Sequence, residues 1–249
     1  MANITFNSVD LSGLGLVTPG AAGVHDLAGV VVSQTFVPGY ALPNEAELRD
    51  DLVTMTFQCA VVGTSHADLV TKLRALRVAL SPRLGWKYLT MTDLSTERTL
   101  ARCKGFPINF DAIPYDMEAV RFALTFSRAP WWEDVTAQTA TVAASPGAVD
   151  NTGGLVAWPV YTCTLLADMA AGLTFTVGGV TFTYTGALTA GDSLVVTTEL
   201  PDVALNGSRS LSGTDPATEF PGLGVGVNVI LLSDDTKFSL GLSYRRRYE

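Results

Sequence analysis

The sequence predicts a mainly β protein of two β-sandwich domains, the first with one packed helix. Three observations lead there. Apolar residues alternate with polar or small ones in successive runs. Val53, Met55, Phe57, Cys59 and Val61 interleave with Thr54, Thr56, Gln58 and Ala60, and Val120, Phe122, Leu124 and Phe126 with Ala119, Arg121, Ala123 and Thr125. Turn formers such as Pro38-Gly39, Gly178-Gly179 and Asn206-Gly207 separate these runs at short intervals. Helical spacing is kept in one stretch, Ala67 to Leu80. After Trp131-Trp132 the composition turns to Thr, Ala, Ser and Gly. The expected division is therefore a domain over 1–134, a linker over 135–150 and a second domain over 151–249.

In chain order, Ile4, Phe6 and Val9 open a short strand, turned by Asp10-Leu-Ser-Gly. Leu27 to Val37 reads as β-rich and ends at Pro38-Gly39. Tyr40 to Asp51 is polar and reads as a loop or extended arm carrying Glu45, Glu47, Asp50 and Asp51. Leu52 to Val62 is the next strand. Gly63-Thr-Ser-His then opens the helix, with Thr64 or Ser65 as cap and Asp68 favourably placed in the first turn. Leu69, Leu73, Leu76 and Leu80 make one narrow apolar stripe, suited to covering a sheet, and Ser81-Pro82 stops the helix. Trp86 to Met91 and Arg98 to Phe106 read as strands. The strand ending at Phe126 halts at Ala129-Pro130 and is expected to expose Trp131 and Trp132 as interface aromatics.

In the second domain Trp158 to Leu166 is a strand. Leu173, Phe175 and Val177, then Val180, Phe182 and Tyr184, alternate with threonines around Gly178-Gly179. A two-residue turn would pair Val177 with Val180 and Phe175 with Phe182. Ser193 to Glu199 and Val203 to Leu205 give a further hairpin. Gly226 to Leu232 and Phe238 to Tyr244 finish the chain around Asp234-Asp235.

Charged residues make up only 16% of the 249, so the surface is poor in charge, which fits either a chain covered by neighbours in a permanent assembly or a secreted or simply Thr-rich surface. The net charge is −8, and the 16 basic residues are too scattered for a broad nucleic-acid patch. Arg245-Arg246-Arg247, flanked by Tyr244 and Tyr248, is the one basic cluster, expected to be solvated or paired with a neighbour's acids. Cys59, Cys103 and Cys163 are odd in number and far apart. They form neither a disulfide framework nor a zinc motif and read as buried small hydrophobes. The first residues lack a basic region and a long apolar run, so no signal peptide is expected. Met169 to Gly191, although uncharged, alternates as a hairpin rather than a membrane helix.

A search for chemistry returns little. His25 and His66 have no partner at metal-ligand spacing, and HExxH, GxSxG and GxxxxGK[ST] are all missing. The glycine run from Gly222 precedes no helix and reads as a turn rather than a phosphate cradle. Adjacent carboxylates at Asp50-Asp51, Glu133-Asp134 and Asp234-Asp235 would point to opposite faces of a strand, so they read as solvated turns. No catalytic residue, cofactor or metal is expected. The candidate residues are Glu45, Glu47, Asp50 and Asp51 on an intersubunit or lumen arm, and Trp131 and Trp132 at an interface.

Taken in order, the pieces FNSVDLSGLGL, the strand-helix unit around Gly63 to Leu80, Phe126 to Trp132, Asn151-Thr-Gly with Trp158-Pro159, Gly226-Val-Asn228 and the closing Tyr244-Arg-Arg-Arg-Tyr248 resemble the distal tail proteins of long-tailed, siphovirus-type bacteriophages. The resemblance spans essentially the whole chain and rests on order and texture. It implies a tail-tube-like first domain and a galectin-like second domain. It also implies a homo-oligomer, a hexameric ring at the distal end of the tail tube, located in the virion and made in the host bacterial cytoplasm. The implied partners are the tail tube protein, the tail tip or hub protein and the tape measure protein. DNA would pass through the lumen without specific binding, and no membrane insertion is implied. The competing readings are a carbohydrate-binding tail module for host attachment, a cell-wall hydrolase and a tube subunit.

Overall fold

The computed structural model describes residues 3–22, 30–35, 44–50, 52–108 and 113–249, with side chains described outside 19–51. The chain divides into two compact units between Trp132 and Glu133. The first contains β1 (Ile4–Phe6), β2 (Val9–Asp10), β3 (Leu16–Ala22), β4 (Val30–Thr35), β5 (Asn44–Asp50), β6 (Val53–Val62), helix α1 (His66–Ala79), β7 (Lys87–Met91), β8 (Leu94–Cys103) and β9 (Ala119–Arg128). Among the described residues seven of these strands follow the order β2-β1-β7-β8-β9-β6-β3. Among the described residues β4 and β5 pair only with each other. A short strand, β10 (Trp132–Asp134), runs across the division.

Alternation sets the inner face of the first sheet. Met55, Phe57, Cys59 and Val61 of β6 are buried, and they register with Phe126, Leu124, Phe122 and Val120 of β9. The sheet curls tightly. β1 and β9 are three strand spacings apart, about 14 Å in a flat sheet, yet the Phe6 and Phe126 rings lie 5.3 Å apart. The helical stripe of Leu69, Leu73, Leu76 and Leu80 is fully buried, and α1 packs beside β6.

The strand-to-helix turn explains Gly63. A Cβ there would sit 2.6 Å from the Leu69 nitrogen and 2.7 Å from the Ser65 carbonyl. Ser65 Oγ caps the helix by accepting from the Asp68 amide at 3.2 Å, and the Asp68 carboxylate reaches back to accept from the Thr64 amide at 2.8 Å. Replacing Ser65 with alanine should cost about 1 kcal/mol of first-unit stability, measured by urea denaturation followed on helix ellipticity.

The second unit contains β11 (Gln138–Val142), β12 (Gly147–Asn151), β13 (Val160–Leu165), β14 (Leu173–Val177), β15 (Val180–Tyr184), β16 (Ser193–Thr197), β17 (Asp202–Leu205), β18 (Ser208–Arg209), β19 (Gly226–Leu232), β20 (Phe238–Tyr244) and β21 (Arg247–Tyr248). It is a two-sheet sandwich. The larger sheet runs β11-β20-β13-β16-β17-β18 and the smaller β12-β19-β14-β15. The two inner faces enclose an aromatic row. Tyr161 and Phe175 lie 4.9 Å apart, Phe175 and Phe182 5.1 Å, and Phe182 and Phe220 5.6 Å. The Gly-Gly hairpin has the expected register, Val177 to Val180 and Phe175 to Phe182. Its glycines adopt φ of 56° and 91°, the left-handed region this two-residue turn requires.

The expected linker over 135–150 is corrected. β11 pairs with β20 and β12 with β19, so this stretch supplies one strand to each sheet. Its alanines and threonines suffice because these are edge positions, while Val142, Val149 and Asn151 point inward and are buried. β8 begins at Leu94, earlier than the strand expected from Arg98.

The three cysteines are free and buried. Burial pushes the Cys59 thiol up to about 12 and raises Cys103 and Cys163 as well. The folded chain should therefore resist an aromatic disulfide reagent at pH 8 and release three thiol equivalents only in denaturant. Rapid labelling of the folded chain would contradict this. Among the described residues no helix is long and apolar enough to cross a membrane.

Candidate functional site

The densest polar cluster lies within the second unit, where the sequence predicts a solvated turn and an arginine run that is solvated or paired with a neighbour's acids. Both expectations are corrected. Asp134 is buried, 5% exposed, and Glu133 is buried at 8%. Arg246 Nε donates to Asp134 Oδ2 at 2.7 Å and its Nη2 to Oδ1 at 3.4 Å. Gln138 and the Tyr248 hydroxyl donate to the same carboxylate at 3.2 Å each. The backbone joins in: the Asp134 amide donates to the Arg246 carbonyl at 3.1 Å, and Arg245 donates to the carbonyls of Asp134 and Val135. Arg247 pairs with Glu199. The basic triplet is thus spent on its own unit, as a clasp holding the strand at Asp134 to the segment 245–248. Asp134 and its arginine and tyrosine partners are more than a hundred residues apart, so no local signal announces them.

Two buried asparagines organise the loops beside the clasp. Asn151 donates to the carbonyls of Leu155 and Leu223 and accepts from the Gly153 amide. Asn228 accepts from the Gly224 amide and donates to the carbonyls of Gly224 and Gly226. The glycine run from Gly222 is therefore folded around an asparagine side chain. Its amides serve the protein's own loop.

Trp132 is corrected from exposed to buried, at 1% exposure, with the Arg128 guanidinium 5.4 Å from its ring centre. Trp131 is half-buried, and its carbonyl accepts from the Thr99 hydroxyl at 2.9 Å. Trp132 opens β10, which is buried at all three of its positions, while Trp131 precedes the strand. Trp131 is the interface candidate that remains.

Glu45, Glu47 and Asp50 lie on β5, in a ribbon whose strands pair only with each other. Asp51 lies outside the described residues, as does His25. β3 and β6 register at Ala22 with Thr56, and β4 and β5 take up the pairing again at Val30 with Asp50. In chain order the ribbon falls between β3 and β6. His66 sits at the start of α1 with its ring centre 5.0 Å from that of Tyr115. Among the described residues no three His, Cys, Asp or Glu side chains converge as metal ligands.

Five aspartates act as turn locks. Asp10 is held below the usual carboxylate range by the Ser12 hydroxyl, Asp68 and Asp192 by the Thr64 and Thr189 amides, Asp202 by Arg209 and Asp234 by the Thr236 hydroxyl. A depressed carboxylate stabilises the fold when ionised. That contribution is whole above the unfolded value of 3.8 and disappears as the pH falls through the lower folded values. Denaturation midpoints should stay level from pH 7 to pH 5 and drop below pH 4. A midpoint unchanged at pH 2.5 would contradict these locks.

Residues 152–248 match the family model of the siphovirus-type tail component, C-terminal domain. No curated protein matches the chain. Among solved structures the fold is similar to SPP1 Dit (gp 19.1), described as a paradigm of hub adsorption apparatus in Gram-positive infecting phages. The TM-score is 0.78 at 13% identity, over 98% of this chain and 99% of that one. Chains of the phage p2 baseplate in its activated conformation, with Sr and with Ca, align over 98% of this chain and 97% of theirs, with TM-score 0.44 and 7% identity. The resemblance to the distal tail proteins stands on two separate findings, the family model over the second unit and the SPP1 Dit fold over the whole chain.

Proposed function

We propose that this chain is a structural subunit of a siphovirus-type phage tail, forming a ring of six copies at the distal end of the tail tube. The observation that carries the reading is the match of residues 152–248 to a siphovirus-type tail component domain. In this reading the first units close the ring and the galectin-like second units project from it. The ring joins the tube protein, with the tape measure protein inside it, to the tip or hub proteins, and DNA passes through the lumen unbound. The protein is made in the host cytoplasm, resides in the virion tail and performs no catalysis.

Two features support this role. A detached two-stranded ribbon is marginally stable in water and gains most by lying against another surface. Arg245, Arg246 and Arg247 and five aspartates are engaged in holding the chain's own loops and strands, as befits a building block. A ring needs two different surfaces per subunit that meet after a fixed rotation.

Native mass spectrometry and negative-stain imaging of the purified protein test the reading. Closed six-membered rings with a central hole are expected. A chain that stays monomeric at high concentration and turns over peptidoglycan would overturn it.

A further inference from the structure

Of the seven asparagines only Asn206 is followed by glycine. The pair makes the two-residue turn between β17 and β18, with Leu205 in register with Ser208 and φ of 50° and 79° at the two turn residues. Such a step is prone to deamidation, because glycine has no Cβ to shield its amide nitrogen. The Gly207 nitrogen attacks Asn206 Cγ, the bond from Cγ to Nδ2 breaks, and the amide proton leaves with that nitrogen as ammonia. A five-membered succinimide remains. Water then opens it at either carbonyl, giving aspartate or isoaspartate. Nothing is oxidised or reduced, and water is the one co-reactant.

The step requires the Asn206 side chain to swing until Cγ stands about 3–3.5 Å from the Gly207 nitrogen. The fold ties that side chain to the entry of β16 instead. Asn206 Oδ1 accepts from the Ser193 amide at 2.9 Å, and Nδ2 donates to Asp192 Oδ1 at 2.8 Å. The Asn206 amide donates to the Ser193 carbonyl at 2.9 Å, so backbone and side chain grip the same residue. Asp192 is fixed in turn. Its Oδ2 accepts from the Thr189 amide at 2.7 Å and from the Thr189 hydroxyl at 3.0 Å. Both turn residues are exposed, so water reaches them, and hydrogen bonding rather than burial is what restrains the reaction.

We propose that Asn206 is a latent deamidation site, kept shut by its bonds to Asp192 and Ser193 and released when the β17–β18 turn opens. Conversion replaces the Nδ2 donor with an oxygen that faces the Asp192 carboxylate. The isoaspartate route also adds a backbone atom to a turn built for two residues. A converted turn therefore cannot close as before, and the second unit keeps a permanent mark of the opening. The inference concerns that unit alone and stands whether or not the chain forms a ring.

The full-length protein tests it. Wild type is held at pH 8, folded and in concentrated urea, and the peptide carrying Asn206 is followed by mass spectrometry and by labelling with isoaspartyl methyltransferase. Two side-chain hydrogen bonds, one of them to a carboxylate, should make conversion in the folded chain at least about tenfold slower than in urea. Asp192→Ala should speed conversion of the folded chain several-fold and leave the rate in urea unchanged, with circular dichroism showing that the variant is folded. Asp192→Asn keeps an acceptor oxygen, should fall between, and serves if the alanine variant does not fold. In N206D the Asp192 carboxyl should titrate higher by NMR, because the amide that helps hold it low is gone. Equal rates for folded and unfolded wild type would overturn the proposal. So would folded Asp192 variants that convert no faster than wild type, or an Asp192 titration that N206D leaves unmoved.

Discussion

Phe175→Ala is expected to destabilise the second unit by about 3–5 kcal/mol, the range for truncating a fully buried aromatic. Phe175 has no exposed surface and sits in the middle of the aromatic row, between Tyr161 and Phe182. Alanine would leave a cavity bounded by rings that are themselves fixed: Tyr161 is tied through its hydroxyl to the Pro221 carbonyl at 3.1 Å. The site therefore has little freedom to collapse, which places the cost high in the range. In urea denaturation the transition of the second unit should move to markedly lower urea, while that of the first stays near its place, because the two units have separate cores. Val229→Ala is the control. Val229 is on the same sheet but 51% exposed, and its truncation should change stability by less than about 0.5 kcal/mol. Equal shifts for the two substitutions would mean that the aromatic row does not organise this core.

Asp134→Ala is expected to cost the second unit about 3 kcal/mol, the low end for removing one partner of a buried ion pair. The low end applies because Arg246 keeps about a third of its side chain in water and can rehydrate in part. Gln138 and Tyr248 lose their acceptor at the same time. Asp134→Asn separates shape from charge. It keeps the volume and an acceptor oxygen but not the ionic bond, and its cost should fall between wild type and alanine. Differential scanning calorimetry should show the second-unit transition lowered by roughly 10 °C for the alanine variant. A shift under 2 °C would mean that the clasp is ornamental.

What was legible in the sequence had local causes. The Gly178-Gly179 hairpin could be placed to the residue because period-two alternation on both sides meets a turn that only left-handed residues make. The helix was equally plain, since its leucine spacing and its Ser65 cap act within a few residues. β5 was hidden because Glu-Ala-Glu-Leu-Arg-Asp has no apolar face to betray a strand. It pairs with β4. β11 and β12 were hidden for a related reason, as edge strands of small and polar residues, Gln-Thr-Ala-Thr-Val and Gly-Ala-Val-Asp-Asn, look like linkers. The two tryptophans misled because their size invited an exposed role for both, while Trp132 opens a strand that is buried throughout and Trp131 stands before it. The clasp was out of reach altogether. Nothing near Glu133-Asp134 distinguishes a solvated pair from one awaiting an arginine more than a hundred residues downstream.

The partnership of β11 with β20 and of β12 with β19 governs how the protein comes into being. Gln138 registers with Tyr244, so the earliest strand of the second sandwich has no mate until nearly all of that sandwich has left the ribosome. The Gly-Gly hairpin can close during synthesis, but the sheets must wait. The first unit is complete in the nascent chain long before. Birth is therefore staggered: one half ready early, the other held open until its last strands arrive and shut it in a single late step.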